Sequence, residues 1–298
     1  MDAPQSTAST TPTRIPATGI LRAAVAAAAV GVVAALSACS SDTPASSSAA
    51  DVPLQSGPQT RLPDAPGYNR IAVDAQNVLY LGGAFGVVTL APEADKPAPL
   101  SGTPVSTFAV APDGTLSFVG PDKTVETLAP GSTSPEPLPF GVLRQWSEIA
   151  VGKDGAVYLG DNDSGRLMKL DPGASAPTEL PVQGVHDIGH MVVDADDTVY
   201  AYADGSLLKI PRDATRAEPI DAPGDVGGLA VDAAGNLYVT DNRAGTVSRR
   251  AADGGDWVQL PFTDIQSPTD IAVDSDGNVY VMASAKWTPS GVVKLAAR

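Results

Sequence analysis

One cysteine in 298 residues leaves no internal disulfide and no multi-cysteine metal or iron–sulfur site. Two histidines rule out a three-histidine zinc site. Basic residues are scarce. Lys+Arg 19 against Asp+Glu 34 gives a formal charge of −15, so neither nucleic acid nor anionic lipid headgroups meet a clustered cationic surface. Aromatics make up only 5% of the chain. There is no GxSxG and no phosphate-binding P-loop, and the segment His186 to His190 lacks the helical context and the glutamate of a zinc-protease motif. The apolar run Ala23 to Leu36 has 14 residues, short for a ~30 Å hydrocarbon core and right for a signal-peptide core.

That run ends in Leu36-Ser37-Ala38-Cys39. These residues resemble the lipobox of bacterial lipoproteins. The resemblance implies cleavage after residue 38, diacylation of Cys39, and a position on the extracytoplasmic face of the bacterial cell membrane. Two acyl chains make a stable anchor where one is marginal. An ordinary secretory signal cut after Ala38, with Cys39 incidental, is the other reading. Residues 39–58 are polar and Ser/Pro-rich and read as a tether. Roughly 20 flexible residues give an r.m.s. reach of about 25 Å.

From residue 59 to 298 the chain repeats. In one register it reads IAVDAQNVLYL from Ile71, FAVAPDGTLSF from Phe108, IAVGKDGAVYL from Ile149, MVVDADDTVYA from Met191, LAVDAAGNLYV from Leu229 and IAVDSDGNVYV from Ile271. The intervals are 37, 41, 42, 38 and 42 residues. Five of the seven tyrosines, Tyr80, Tyr158, Tyr200, Tyr238 and Tyr280, share one position and read as inter-blade packing. Each copy is two short strands around a turn such as Asp154-Gly155 or Asp276-Gly277. A third strand follows, as in Arg166 to Leu170, then a fourth with a Leu-Pro step at Leu138, Leu180 and Leu260. Proline suits an outer edge strand, which need not donate on its free side. Four antiparallel strands at this period predict an all-β fold, a six-bladed β-propeller. The copy from Ile271 supplies only three strands, and the orphan Gln59 to Pro63 matches the fourth. The N-terminal strand is expected to complete the last blade and close the ring.

The segments Leu260 to Val281 and Ile149 to Leu170 resemble NHL repeats. The likeness is to the extracellular NHL propeller of actinobacterial membrane serine/threonine kinases, whose repeats carry a DxxNNRVxKL segment. Asp161, Asn162, Arg166 and Lys169 match it in blade three, and Asp241 and Asn242 match it in part in blade five. Blades one, two and four depart from it, with shortened loops such as YADGSLLKI. The resemblance speaks to fold; NHL propellers include sensors, adaptors and enzymes.

The a–b turns are short and alike, so binding residues are expected on the opposite, variable rim. Candidates there are Arg144, Trp146, Asp161, Asn162, Arg166, His186, Asp241, Asn242, Arg243 and Trp287. Trp146 and Trp287 break the repeat and are the expected partner anchors. The Asp74, Asp194, Asp232 and Asp274 position recurs and is expected to bond turn N–H groups. The residues before the inner triplets are Arg70, Thr107, Glu148, His190, Gly228 and Asp270, a non-repeating polar ring around the axial opening. Glu148, His190 and Asp270 are candidate metal ligands, and propeller lyases and lactonases resemble this arrangement in placing metal at the channel mouth. A carboxylate-rich ring suits Ca²⁺ or Mg²⁺.

The function expected is a lipid-anchored, monomeric recognition module without a cofactor, sensor-like, binding an envelope protein, peptide or glycan. The competing expectation is a divalent-metal-dependent lyase or lactonase with Ca or Mg at the axis.

Overall fold

The inner-strand triplets are apolar and β-branched-rich, and each is answered by an alternating run after a tight turn, so every copy folds first as a hairpin. In the computed structural model, which describes residues 55–62, 67–285 and 288–297, these hairpins grow into six four-stranded antiparallel sheets. All the described residues fall in one unit, Val52–Arg298; the other, Met1–Asp51, lies outside them, as do the predicted signal segment and Cys39.

Blade one comprises Tyr68–Val73, Leu79–Gly83, Gly86–Leu90 and Ala98–Ser101; blade two comprises Phe108–Val110, Leu116–Val119, Thr124–Leu128 and Glu136–Val142. Blade three comprises Ser147–Val151, Val157–Asp161, Arg166–Leu170 and Thr178–Glu179; blade four comprises Ile188–Val193, Val199–Ala203, Ser206–Ile210 and Glu218–Ile220. Blade five comprises Val226–Val231, Leu237–Asp241, Thr246–Ala251 and Gly254–Gln259. Blade six takes Gln266–Val273, Val279–Ala285 and Thr288–Leu295, and its outer strand is Gln59–Arg61 from the other end of the repeat region. There Gln59 pairs with Leu295, Thr60 with Lys294 and Arg61 with Val293, which closes the ring as expected. No helix occurs among the described residues.

Two boundaries differ from the expected ones. The outer strands of blades three and five stop at Glu179 and Gln259, before the Leu-Pro step. Leu180 and Leu260 each still donate to a neighbouring carbonyl at 2.8 Å, and the following proline, lacking an N–H, ends the pairing. Five inner strands begin earlier than the apolar triplets, at Tyr68, Ser147, Ile188, Val226 and Gln266, and all but the one in blade three carry a register shift just before the triplet. The bulge admits extra polar residues to the strand without disturbing the apolar register.

The a–b turns hold together through one aspartate. Asp274 Oδ1 accepts from the N–H groups of Asp276 and Asn278 at 3.0 and 2.8 Å, and Oδ2 accepts from the Tyr280 hydroxyl at 2.8 Å. Asp74, Asp194 and Asp232 repeat the turn contacts. The turn needs one left-handed residue, supplied by Gly277 (φ 80°) in blade six and by Asn77 and Asp197 (both φ 62°) in blades one and four. The core consists of apolar clusters at the seams between blades, and five of these enclose a tyrosine reaching toward the next blade.

Candidate functional site

The inner strands enclose an axial cavity of about 200 Å³. Val73, Val110, Val151, Val193, Val231 and Val273 ring its a–b end. At the other end the structure collects Arg70, Glu148, His190 and Asp270, from blades one, three, four and six. The three candidate metal ligands thus line one opening, but around an arginine, and the described residues include no group of three His, Cys, Asp or Glu placed to hold a metal ion. Arg70 Nη1 and Nη2 donate to Glu148 Oε1 and Oε2 at 3.1 and 3.0 Å, a bidentate pair across the channel. Nη1 also lies 3.2 Å from His190 Nδ1, which as a neutral acceptor leaves its proton on Nε2. Asp270 accepts from the backbone N–H of Ile71 at 2.9 Å and from that of Ile271 at 3.0 Å, tying blade six to blade one.

Burial dominates the electrostatics. It lifts the Glu148 carboxyl to about 7 against the pull of Arg70, with the charge of Asp270 adding to the lift. Burial likewise lifts Asp270 to about 6, while Arg70 and the two N–H donors oppose it. Burial opposes the charge on Arg70 too, yet Glu148 and Asp270 outweigh it and hold the guanidinium above its ordinary value. His190 is driven down to about 3, first by burial and then by the adjacent Arg70 charge.

The sign of each linkage follows. His190 contributes stability above its unfolded value of about 6.5, and that stability drains away as pH falls toward about 3. The raised carboxyls act oppositely, contributing at low pH and losing that contribution as pH rises through about 6 for Asp270 and 7 for Glu148. NMR titration of the His190 ring is therefore expected to show the neutral Nε2–H tautomer throughout pH 7.5 to 5. A midpoint near the free-histidine value would contradict the arginine-facing placement at the channel mouth.

The variable rim divides in two. In the blade-three sector, Arg144 lies 4.0 Å from Asp163 and is almost fully exposed, and Trp146 on the same loop is 44% exposed. His186 is exposed and sits against the Gly165 turn. Arg166 pairs with Glu179 at 3.2 Å between the third and outer strands of that blade. Several candidates are spent on local structure. Asp161 accepts from the Asp163 N–H at 3.1 Å and from the Ser164 hydroxyl, and Asn162 clamps both backbone groups of Ile188 in blade four. In blade five, Asp241 caps its own turn through the N–H groups of Arg243 and Ala244, both at 2.9 Å. Asn242 donates its N–H to the Asp225 carbonyl, and Arg243 is exposed. Blade four lies between the two sectors in the ring. Trp287 lies outside the described residues.

Sequence reading passed over two exposed apolar side chains on this rim, Phe85 (69%) in the Gly83–Gly86 turn and Val142 (71%) before Arg144. Their signal is a large apolar residue beside glycine, where no inward register exists to bury it. It also passed over Arg70 as the partner of the axial acids.

Fold and axial cluster together define the class: a six-bladed β-propeller whose channel mouth is held by a buried ion pair. A beta-propeller repeat family model matches residues 260–286. A search of curated proteins finds no match. Among solved structures, a gluconolactonase from Xanthomonas campestris is similar with a TM-score of 0.63 at 15% identity, covering 83% of this chain and 92% of that one. A streptogramin B lyase is similar at 0.57 and 14% identity, covering 81% and 98%. A nidogen/laminin complex chain is similar at 0.58 and 15%, covering 69% and 85%. At these identities the likeness concerns the fold.

Proposed function

We propose that the chain is a surface lipoprotein, anchored through Cys39, whose NHL-type propeller serves as a sensor-like binding module for an envelope protein, peptide or glycan. The observation that carries this reading is the loop Val142 to Trp146. On an acidic chain poor in aromatics, it offers an exposed valine, arginine and tryptophan side by side. Tryptophan and arginine are the residues most often found to dominate binding surfaces. Of the expected tether 39–58, the part before Gln55 would hold the propeller off the membrane, because Gln55, Gly57 and Pro58 are hydrogen-bonded to blades five and six.

The double variant Arg144→Ala/Trp146→Ala is expected to lose about 2 kcal/mol or more of binding, roughly thirtyfold, with an unchanged melting temperature. The measurement is quantitative capture of solubilised envelope components on the immobilised full-length chain. Equal capture by the variant would remove this loop from the function.

A second reading, a divalent-metal-dependent lyase or lactonase, draws on Glu148, His190 and Asp270 lining the channel mouth, although they are not placed as a ligand group. Its difficulty is the donor set. Both Glu148 oxygens are engaged by Arg70 and both Asp270 oxygens by backbone N–H groups. As arranged, these groups suit a guanidinium better than Ca²⁺ or Mg²⁺.

A further inference from the structure

One position in the third strand of a blade is apolar and buried: Leu90, Leu128, Leu170, Ile210 and Leu295 hold it, none more than 5% exposed. In blade five the residue in that register is Arg250, which pairs with Leu237 as Ile210 pairs with Val199. Its Nε is buried without a hydrogen-bond partner, and among the described residues no carboxylate forms an ion pair with its guanidinium. A charge at a core register is costly unless paired. On a chain of formal charge −15, acids to pair it are plentiful.

A second cation enters the same seam. Lys169 of blade three is held by Asp171 and Asp197, both at 3.1 Å. Its register counterpart in blade four is Lys209, opposite Tyr200 as Lys169 is opposite Tyr158. Where Lys169 finds its two acids, blade four has Pro211 and the blade-five turn has Gly235, left-handed like Asp197. Lys209 and Arg250, both half-buried, therefore line one cleft of about 550 Å³ between blades four and five. Clefts of comparable size open at other seams, so the lining and not the volume marks this one. Between blades three and four, Lys169 and Arg212 are both spent on Asp197. Between blades four and five, Glu218, Asp221, Asp253 and Asp256 are all exposed and pair with neither cation. Trp257 also lines this cleft, and its indole N–H donates to the Asp221 carbonyl at 2.6 Å, bridging from blade five to blade four.

We propose that this cleft binds a small organic carboxylate, gripped by Arg250 and Lys209 and laid against Trp257. A planar guanidinium fork matches a carboxylate through two parallel hydrogen bonds, and the lysine adds a second charge. Ile220 and the Trp257 ring offer an apolar wall to the body of the ligand. The exposed acids repel a polyanion and so favour a ligand with a single carboxylate. The cleft shares no residue with the axial mouth or with the Val142 to Trp146 loop, so the binding function proposed for that loop stands or falls separately.

The probe is benzoate, titrated into the isotope-labelled full-length chain and followed at the Trp257 indole N–H and the Arg250 Nε–H. Saturable shifts centred on these two groups are expected, with a Kd at or below about 1 mM. Benzyl alcohol, similar in shape but uncharged, should bind at least about tenfold more weakly. Arg250→Leu installs the residue type of the other blades, so it should weaken benzoate at least about tenfold while the melting temperature holds or rises. Lys209→Gln removes the second charge and should also weaken binding, which supports the site even if Arg250→Leu fails to fold. No saturable shift, shifts centred elsewhere, equal binding of benzyl alcohol, or full binding in either variant overturns it. A tetrapeptide that binds more tightly than benzoate, and loses binding when its C-terminus is amidated, would assign the carboxylate to a chain terminus. Tighter binding of benzoate would assign it to a free acid.

Discussion

Replacing Arg70 with alanine is expected to lower the unfolding free energy by about 3–5 kcal/mol, the usual consequence of leaving a buried charge without its partner. For a domain of this size that is a fall of roughly 6–20 °C in melting temperature. The guanidinium is the only positive charge among four groups that join blades one, three, four and six. Without it, Glu148 and Asp270 face each other across the cavity as like charges. The raised Glu148 carboxyl gives the prediction a pH signature. Protonation removes the unpaired charge, so the loss should be larger at pH 8 than at pH 5.5. Arg70→Met combined with Glu148→Gln should recover more than half of the loss, since the pair is then replaced by neutral groups of similar size. Thermal unfolding of the three proteins decides it. A loss under about 1 kcal/mol, or one undiminished in the double variant, would mean the ion pair does not brace the channel. Adding Ca²⁺ or Zn²⁺ to Arg70→Ala is a further discriminator. A metal-dependent recovery would show that the mouth takes an external cation once its own is removed, reviving the enzymatic reading.

The repeat made most of this fold legible. Apolar triplets and the tyrosine register located the inner two strands of each blade, and the three-stranded last copy announced its partner at Gln59. What escaped was local. A bulge leaves no apolar signature, so the early starts at Tyr68 and Gln266 were invisible. The axial ring was found by register, yet its charges were read singly. Arg70 stood in that ring beside two acids, and pairing them needed only the rule that buried charges are seldom left alone. Asp161 and Asp241 drew attention through the likeness to NHL repeats, although an aspartate two residues before an accessible turn N–H is first of all a cap.

Deleting residues 55–62 is expected to cost about 5 kcal/mol or more, judged from the hydrogen bonds lost at about 1 kcal/mol each. Besides the three-residue ladder to the strand ending at Leu295, Gly57 donates to the Ala296 carbonyl, Leu62 to Val292, and Ala296 to Pro58. Gln55, 1% exposed, donates from one amide to the Tyr238 hydroxyl at 3.0 Å and to the Gly277 carbonyl at 3.2 Å, bridging blades five and six. Gln59 exchanges two hydrogen bonds with Thr263, and Leu62 packs into the seam between blades six and one. The deletion also bares the edge of the Thr288–Leu295 strand, and an unpaired edge recruits other chains. The shortened chain should therefore melt early and elute as a larger species than the intact chain in size-exclusion chromatography. Gln55→Ala alone should cost only about 1–3 kcal/mol, the penalty of one buried polar bridge. A peptide spanning residues 55–62, added in trans, should restore the missing strand and the elution position of the intact chain. An unchanged melting temperature after deletion would mean the ring holds by its seams alone, with the circle closed by apolar packing rather than by the borrowed strand.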